Sequence, residues 1–186
     1  MAKKKLFLHV GPEPRALTHA DLSQHRALLA GAGCLVPEIA QPALDAAATE
    51  MLRNHRARGL SRREVEGAWA GITRGLWRLD ADMAIAQPQF AEADVDQFAL
   101  ILDHLAGLDV HVMLLLRADE VGTIPAWSRL LPAPRLHVRE IEEGAAPIDL
   151  AEALTGVVWA VRREDEQGRT SRLRAITQRR RTLPAA

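Results

Sequence analysis

The apolar run Lys5–Val10, which ends at Gly11 and leads into a helical segment, constrains the fold more than any other stretch. It predicts a buried first strand. Three later runs, 82–86, 109–116 and 136–141, also predict strands, and segments with helical spacing separate them. Because strands that alternate with helices form parallel sheets covered on both faces, we predict a three-layer α/β/α domain with a mostly parallel sheet.

Helix starts can be located from capping signals. Thr18 with Asp21 and Ser61 with Glu64 have capping-box spacing, and Asp94 suits the N-cap of a later helix. We expect the first helix to end near residue 31 or 33, and a second to run from residue 42 to about 56. A third, of about five turns, should bury a stripe after Ser61, and a fourth should bury another after Asp94. The two stripes are Val65, Trp69, Ile72, Leu76 and Leu79, and Val95, Phe98, Leu102 and Leu105.

The chain divides at about residue 161. Residues 1–161 read as a single α/β domain, which a short helix near 125–131 and a last helix opening at Pro147 complete. Residues 162–186 contain eight arginines and are predicted to be an Arg-rich extension that frays or lies outside the core.

Bulk composition excludes several classes of protein. Twenty-four basic residues balance 24 acidic ones, so no net charge favours nucleic acid or a membrane surface. The single cysteine, Cys34, excludes an internal disulfide and a cysteine-based zinc site, which fits a cytoplasmic protein. The apolar run at the start is too short for a signal-peptide core or a membrane span, so we expect neither.

The loop after the first strand lacks what phosphate binding needs. A phosphate-binding loop offers glycines, a lysine and a Ser or Thr around the anion. Here the residues between Gly11 and Thr18 are prolines, a glutamate, Arg15, an alanine and a leucine. Ligands of parallel sheets bind at the carboxyl ends of the strands, so we predict that residues 11–18, 86–90 and 117–120 face one crevice.

Several short motifs, taken in order, resemble the bacterial sulfotransferase-like branch of the P-loop proteins. Leu8-His-Val-Gly11 resembles the end of that family's first strand, and Gly33-Cys-Leu-Val-Pro37 its first helix end. The strand that finishes at Arg117, followed by Ala-Asp119, resembles the family's strand ending in Arg-Asp. Ile124-Pro-Ala-Trp127 and Pro134-Arg-Leu-His137 resemble later motifs, so the resemblance covers residues 4–160 in patches.

The resemblance implies a site for 3′-phosphoadenosine 5′-phosphosulfate, and the departures imply its loss. Pro14 stands where the family has its loop lysine, and Ala16 replaces a loop glycine. Ala86-Gln-Pro88 stands where many relatives carry Ser-His-Glu, so an acid/base histidine is missing. The helical stretch that shapes the acceptor pocket is also shortened. We name no catalytic residue and no metal ligand.

The residues that could still bind the cofactor are Gly11, Arg15, Thr18 and Arg117. Arg15 could replace the lost lysine, since a guanidinium binds phosphate well; the alternative is an exposed loop arginine. Arg117 matches the arginine that the family uses against the 3′-phosphate. Its alternative is a strand-end charge paired with a neighbouring carboxylate.

Other conspicuous side chains are predicted to be structural. His9 lies near the end of its strand and His111 and His137 near the starts of theirs, so we expect these histidines at opposite edges, unable to share an ion. Cys34 should be buried and inert, and Trp69 should lie in the core. Trp77 lies off its helix stripe and could contact a partner or cover a helix junction.

The leading hypothesis is therefore a degenerate sulfotransferase-like protein without sulfuryl transfer, which acts as a binding or interaction module. It would have a protein partner or form a homo-oligomer, and we expect neither a membrane nor nucleic acid as its partner. The alternative is a divergent sulfotransferase that still uses the sulfate donor through Arg15, Thr18 and Arg117.

Overall fold

Four parallel strands form the centre of the molecule in the order β2-β1-β3-β4. The computed structural model describes residues 3–11, 16–117, 124–141 and 145–181. The predicted strands are all present, with boundaries that move by one residue at most: β1 is Lys5–Val10, β2 Met83–Ala86, β3 Asp109–Arg117 and β4 Leu136–Ile141.

Helices cover both faces of this sheet, which confirms the predicted three-layer α/β/α architecture. They are α1 (His19–Gln24), α2 (Arg26–Gly31), α3 (Gln41–Met51), α4 (Arg62–Val65), α5 (Ala68–Arg78), α6 (Val95–Asp103) and α7 (Pro147–Arg181). Short 3₁₀ helices lie at Pro88–Glu92, Ala126–Leu130 and Ala133–Arg135.

The strands separate two apolar cores because successive side chains point to opposite faces. Leu6, Leu8 and Val10 of β1 pack with α3, α5 and α6 on one face. Phe7 points to the other face, where α1, α2 and the first half of α7 cover it. The predicted core tryptophan Trp69 is fully buried on the first of these faces.

Both predicted capping boxes and the Asp94 cap are present. The Thr18 side chain accepts a hydrogen bond from the Asp21 amide at the start of α1, and Ser61 and Glu64 cap α4 reciprocally. Asp94 caps α6 in the same way through Gln97. These starts agree with the sequence because a cap depends on residues only three positions apart.

The helices differ from the predictions at four places, the first being His25, where the predicted first helix divides into α1 and α2. The expected five-turn helix after Ser61 is interrupted between α4 and α5, because Gly67 has φ +83, a left-handed conformation that a helix does not contain. The helix predicted to reach about residue 56 ends at Met51. In α6 the buried stripe passes through Phe98 and Ile101, whereas Leu102 is half-buried.

The last helix runs without interruption from the domain into the Arg-rich segment. Its residue Val161 is still buried, and Arg162 donates to the Gly33 carbonyl at 2.7 Å and lies 3.6 Å from the Asp82 carboxylate. One turn later, Asp165 forms an ion pair with Lys5. The extension therefore begins as a continuation of α7.

Candidate functional site

The carboxyl ends of β1 and β2 meet at the edge of the sheet where the sequence places a crevice. The Gln87 amide donates to the His9 carbonyl at 2.9 Å, and the Gly11 amide lies 3.5 Å from the Pro88 carbonyl oxygen. A Cβ on Gly11 would lie 3.5 Å from the Leu115 carbonyl oxygen, two residues before the end of β3. The described residues of the three segments predicted to line the crevice, 11–18, 86–90 and 117–120, therefore lie at the same edge of the sheet, where the strands end.

The four predicted cofactor residues are described unequally. Gly11 and Thr18 lie at this edge, on either side of residues 12–15. Arg15 lies outside the described residues. Of Arg117 the structure describes the backbone, which forms the last residue of β3 and pairs with Ile141.

His9, the residue before the last in β1, contacts Leu17, which lies after residues 12–15 in the chain. It is fully buried, and its Nε2 accepts a hydrogen bond from the Leu17 amide at 3.2 Å. Burial lowers the pKa of His9 to about 4, a shift that the nearby Met113 backbone partly opposes. The imidazole is therefore neutral at pH 7, and it uses an amide that could otherwise point toward an anion.

The Thr18 hydroxyl is also engaged within the protein. It lies 2.6 Å from the Asp21 Oδ2 atom, and the Thr18 amide donates to the same oxygen at 3.1 Å. A carboxylate therefore sits at the start of α1, which has only six residues. Since this carboxylate already accepts the local hydrogen bonds and carries negative charge, it disfavours a phosphate at the same place.

Two polar side chains next to this edge have structural contacts. Gln87 is buried, and its Nε2 donates to the Leu44 carbonyl of α3 at 2.9 Å. The Nδ1 atom of buried His19 accepts from the Ala86 amide at 3.4 Å, so its Nε2 carries the proton and donates to the Pro37 carbonyl at 2.9 Å. Burial also lowers the pKa of His19. Sequence reasoning did not single out His19, whose one signal was its position inside a capping box.

The predicted placement of three histidines at opposite edges is wrong. His9 and His137 both pair with Met113, so they lie in one row of the sheet on either side of β3. The reason is stagger: β4 begins opposite Val112, halfway along β3. His111 and His137 are in contact, with Nδ1 and Nε2 3.2 Å apart. Nevertheless, no group of three metal-binding side chains occurs among the described residues.

Burial confirms the prediction for Cys34. Its side chain is 1% exposed, and burial together with the Asp82 carboxylate raises the pKa of the thiol to about 12. The thiolate, which is the reactive form, is therefore scarce at neutral pH.

A groove of about 840 Å³ opens at a different place, beside the outer edge of β2. Its floor is residues 34–40, here called the edge segment, and its walls come from α2 and α5. Small residues occur on both walls, Ala27 and Ala30 on α2 and Gly71 and Gly75 on α5, and the α5 wall also contains Ile72 and Leu76. This groove depends on elements that are distant in sequence, and sequence reasoning missed it.

Comparison with protein-family models, with curated proteins and with solved structures yields no match for this chain. Within the described part of the chain, no helix combines the length and the apolar character that crossing a membrane requires.

Proposed function

We propose that this chain is a degenerate sulfotransferase-like domain that binds a partner and does not transfer sulfuryl groups. One observation carries the proposal: among the residues that the structure describes next to the first strand, the Leu17 amide and the Thr18 amide and hydroxyl are already hydrogen-bonded inside the protein. His9 accepts a hydrogen bond from the Leu17 amide, and the Asp21 carboxylate accepts hydrogen bonds from the Thr18 hydroxyl and amide. Phosphate cradles work because such groups are free to point at the anion.

The environment of this edge supports the same proposal. Gln87 stands where the resemblance implies an acid/base histidine, and its amide is committed to the Leu44 carbonyl. An amide side chain does not gain or lose a proton by titration near neutral pH. The segment after β2 therefore supplies packing and hydrogen bonds where proton transfer would need a titratable group.

Calorimetry with adenosine 3′,5′-bisphosphate tests the proposal. We expect binding weaker than about 1 mM, because the Leu17 and Thr18 amides already donate within the protein and the loop lysine is missing. Arg15→Ala should change nothing, and neither should its matched control, Arg62→Ala, on the exposed surface of α4. Tight binding that weakens in Arg15→Ala and is retained in Arg62→Ala would overturn the proposal.

The second candidate is a divergent sulfotransferase that uses Arg15, Thr18 and Arg117. It is supported by the proximity of Gly11 to the end of β3, which brings the backbone of Arg117 to the edge where Thr18 lies. Sulfuryl donors could then be held by arginines in place of the lysine. Failure of both the donor and adenosine 3′,5′-bisphosphate to bind would end this candidate.

A further inference from the structure

Beyond β2, one more residue pairs with the sheet. The Leu35 amide donates to the Asp82 carbonyl at 2.9 Å, and the Ala84 amide donates to the Leu35 carbonyl at 2.8 Å. Leu35 thereby forms a parallel bridge with Met83, and the chain then runs on to residue 40 without further strand pairing. The edge segment therefore lies along the outer side of β2, which is the last strand on that side of the sheet.

The polar backbone groups of the edge segment alternate in direction. In an extended chain, successive residues direct their amides and carbonyls to opposite sides. The amide and carbonyl of Leu35 face β2, and the Pro37 carbonyl accepts a hydrogen bond from His19 of α1, whose other ring nitrogen accepts from the Ala86 amide of β2. Val36 and Glu38 must then face outward, and their amides make no hydrogen bond with any described residue. Pro37, between them, has no N–H to donate. Because this residue is directed inward, the missing donor does not affect pairing on the outer side.

The edge segment lies in a recess. Helices α2 and α5 belong to opposite faces of the sheet, and both flank it. Val36 at the floor is 6% exposed, whereas Ala30 and Gly71 on the walls are exposed. A second copy of this edge would bring its own flanking helices against these walls. A single extended strand carries no such helices.

The charges around the groove also define what fits it. Arg26 and Glu38 are the charged residues of its lining, and they pair with each other at 3.4 Å. The remaining lining is apolar apart from the backbone. An uncharged, apolar segment therefore matches the interior, since an unpaired charge would lose its hydration there without gaining a partner.

We propose that the groove binds an extended, uncharged apolar segment of a partner polypeptide, which adds a strand to the sheet along Val36 and Glu38. Main-chain hydrogen bonds to the edge would give affinity, and the small wall residues would accommodate the side chains. This inference rests on the proposed function as a binding module, and it names the class of partner.

A fluorescein-labelled peptide of eight residues, alternating valine and alanine with blocked ends, is the probe. Gly71→Leu fills the groove. Apart from its chain neighbours and the backbone of α5, no atom of the described residues lies within 4 Å of a Cβ built at Gly71, and the φ of Gly71 is not in the left-handed region, so the leucine fits without strain. Gly156→Leu on α7 is the matched control, since a side chain at Gly156 also meets open space. Fluorescence anisotropy should show binding that Gly71→Leu weakens by roughly tenfold or more, while Gly156→Leu changes it less than about twofold.

Amide hydrogen exchange followed by NMR tests the pairing itself. Bound peptide should slow exchange at Val36 and Glu38, and a peptide N-methylated at every residue should not bind, because neither of its sides could then donate to the chain. Equal binding by Gly71→Leu, equal binding of the N-methylated peptide, or no binding at about 1 mM would each overturn the inference. Calorimetry on the same samples keeps the two proposals apart. Tight nucleotide binding sensitive to Arg15 would reject the proposed loss of the site, whatever the peptide does.

Discussion

His9 makes the stability of this protein depend on pH in a defined window. The imidazole is fully buried, and its pKa falls from 6.5 to about 4. In the unfolded chain it takes up a proton below pH 6.5, whereas in the folded chain it stays neutral until about pH 4. The unfolded state therefore binds more protons between these values, and stability is lost as pH falls from 6.5 to about 4.

The magnitude follows from the two pKa values. Each pKa unit corresponds to about 1.4 kcal/mol, so the full effect of His9 is about 3 kcal/mol below pH 4. At pH 5 the loss relative to pH 7.5 is about 2 kcal/mol. The lowered pKa values of His19, His111 and His137 act in the same direction, so the wild-type protein should lose more than this.

Urea unfolding of the wild-type protein and of His9→Gln at pH 7.5, 6 and 5 checks the prediction. Glutamine keeps an oxygen that can accept from the Leu17 amide but does not titrate. We expect His9→Gln to be less stable at pH 7.5, and to lose about 2 kcal/mol less than the wild-type protein on going to pH 5.

A general destabilisation would not produce this pattern. Ile72→Val in the core on the opposite face of the sheet should lower stability by about 1 kcal/mol and keep the wild-type pH dependence. If His9→Gln showed the same pH dependence as the wild-type protein, or if NMR titration placed the pKa of His9 near 6.5, the reasoning from burial would be wrong.

Two further predictions concern stability, both measured by urea unfolding. Gly71→Ala should stabilise the protein by roughly 0.5–1 kcal/mol, because its Cβ meets open space in a helix interior, while Gly67→Ala should destabilise it by about 1 kcal/mol, since φ is +83 there. Equal effects at the two glycines would contradict the assigned helix break. Trp127→Ala should destabilise by about 3–5 kcal/mol, because its ring is fully buried and stacks on Phe98 with centroids 3.9 Å apart. A loss below about 1 kcal/mol would contradict that packing.

Features that depend on neighbours in sequence were predictable. The strand Leu136–Ile141 has the predicted boundaries, and the capping boxes at Thr18 and Ser61 are in place. The break at Gly67 was missed because the apolar stripe continues across it, from Val65 to Trp69. Periodicity reports which residues are buried, and it does not report whether the backbone between them stays helical.

Features that depend on how strands are aligned could not be read from the chain. The strand pattern predicts a parallel sheet, but the register of β4 depends on its contacts with β3. A strand that begins halfway along its neighbour moves His137 by about half a strand length, into the row of His9. The histidine prediction is wrong for this reason: two residues near opposite ends of their own strands can lie side by side when the strands are staggered.

The two sites differ in predictability for the same reason. The edge with Gly11 and Thr18 could be located, since the carboxyl ends of parallel strands always share one edge. The engagement of Thr18 by Asp21 is also local, three residues along the chain. The groove requires knowing that β2 is the outer strand and that α2 and α5 flank it from opposite faces. Nothing in the spacing of Gly71 and Gly75 distinguishes a groove wall from a helix contact until the strand order is known.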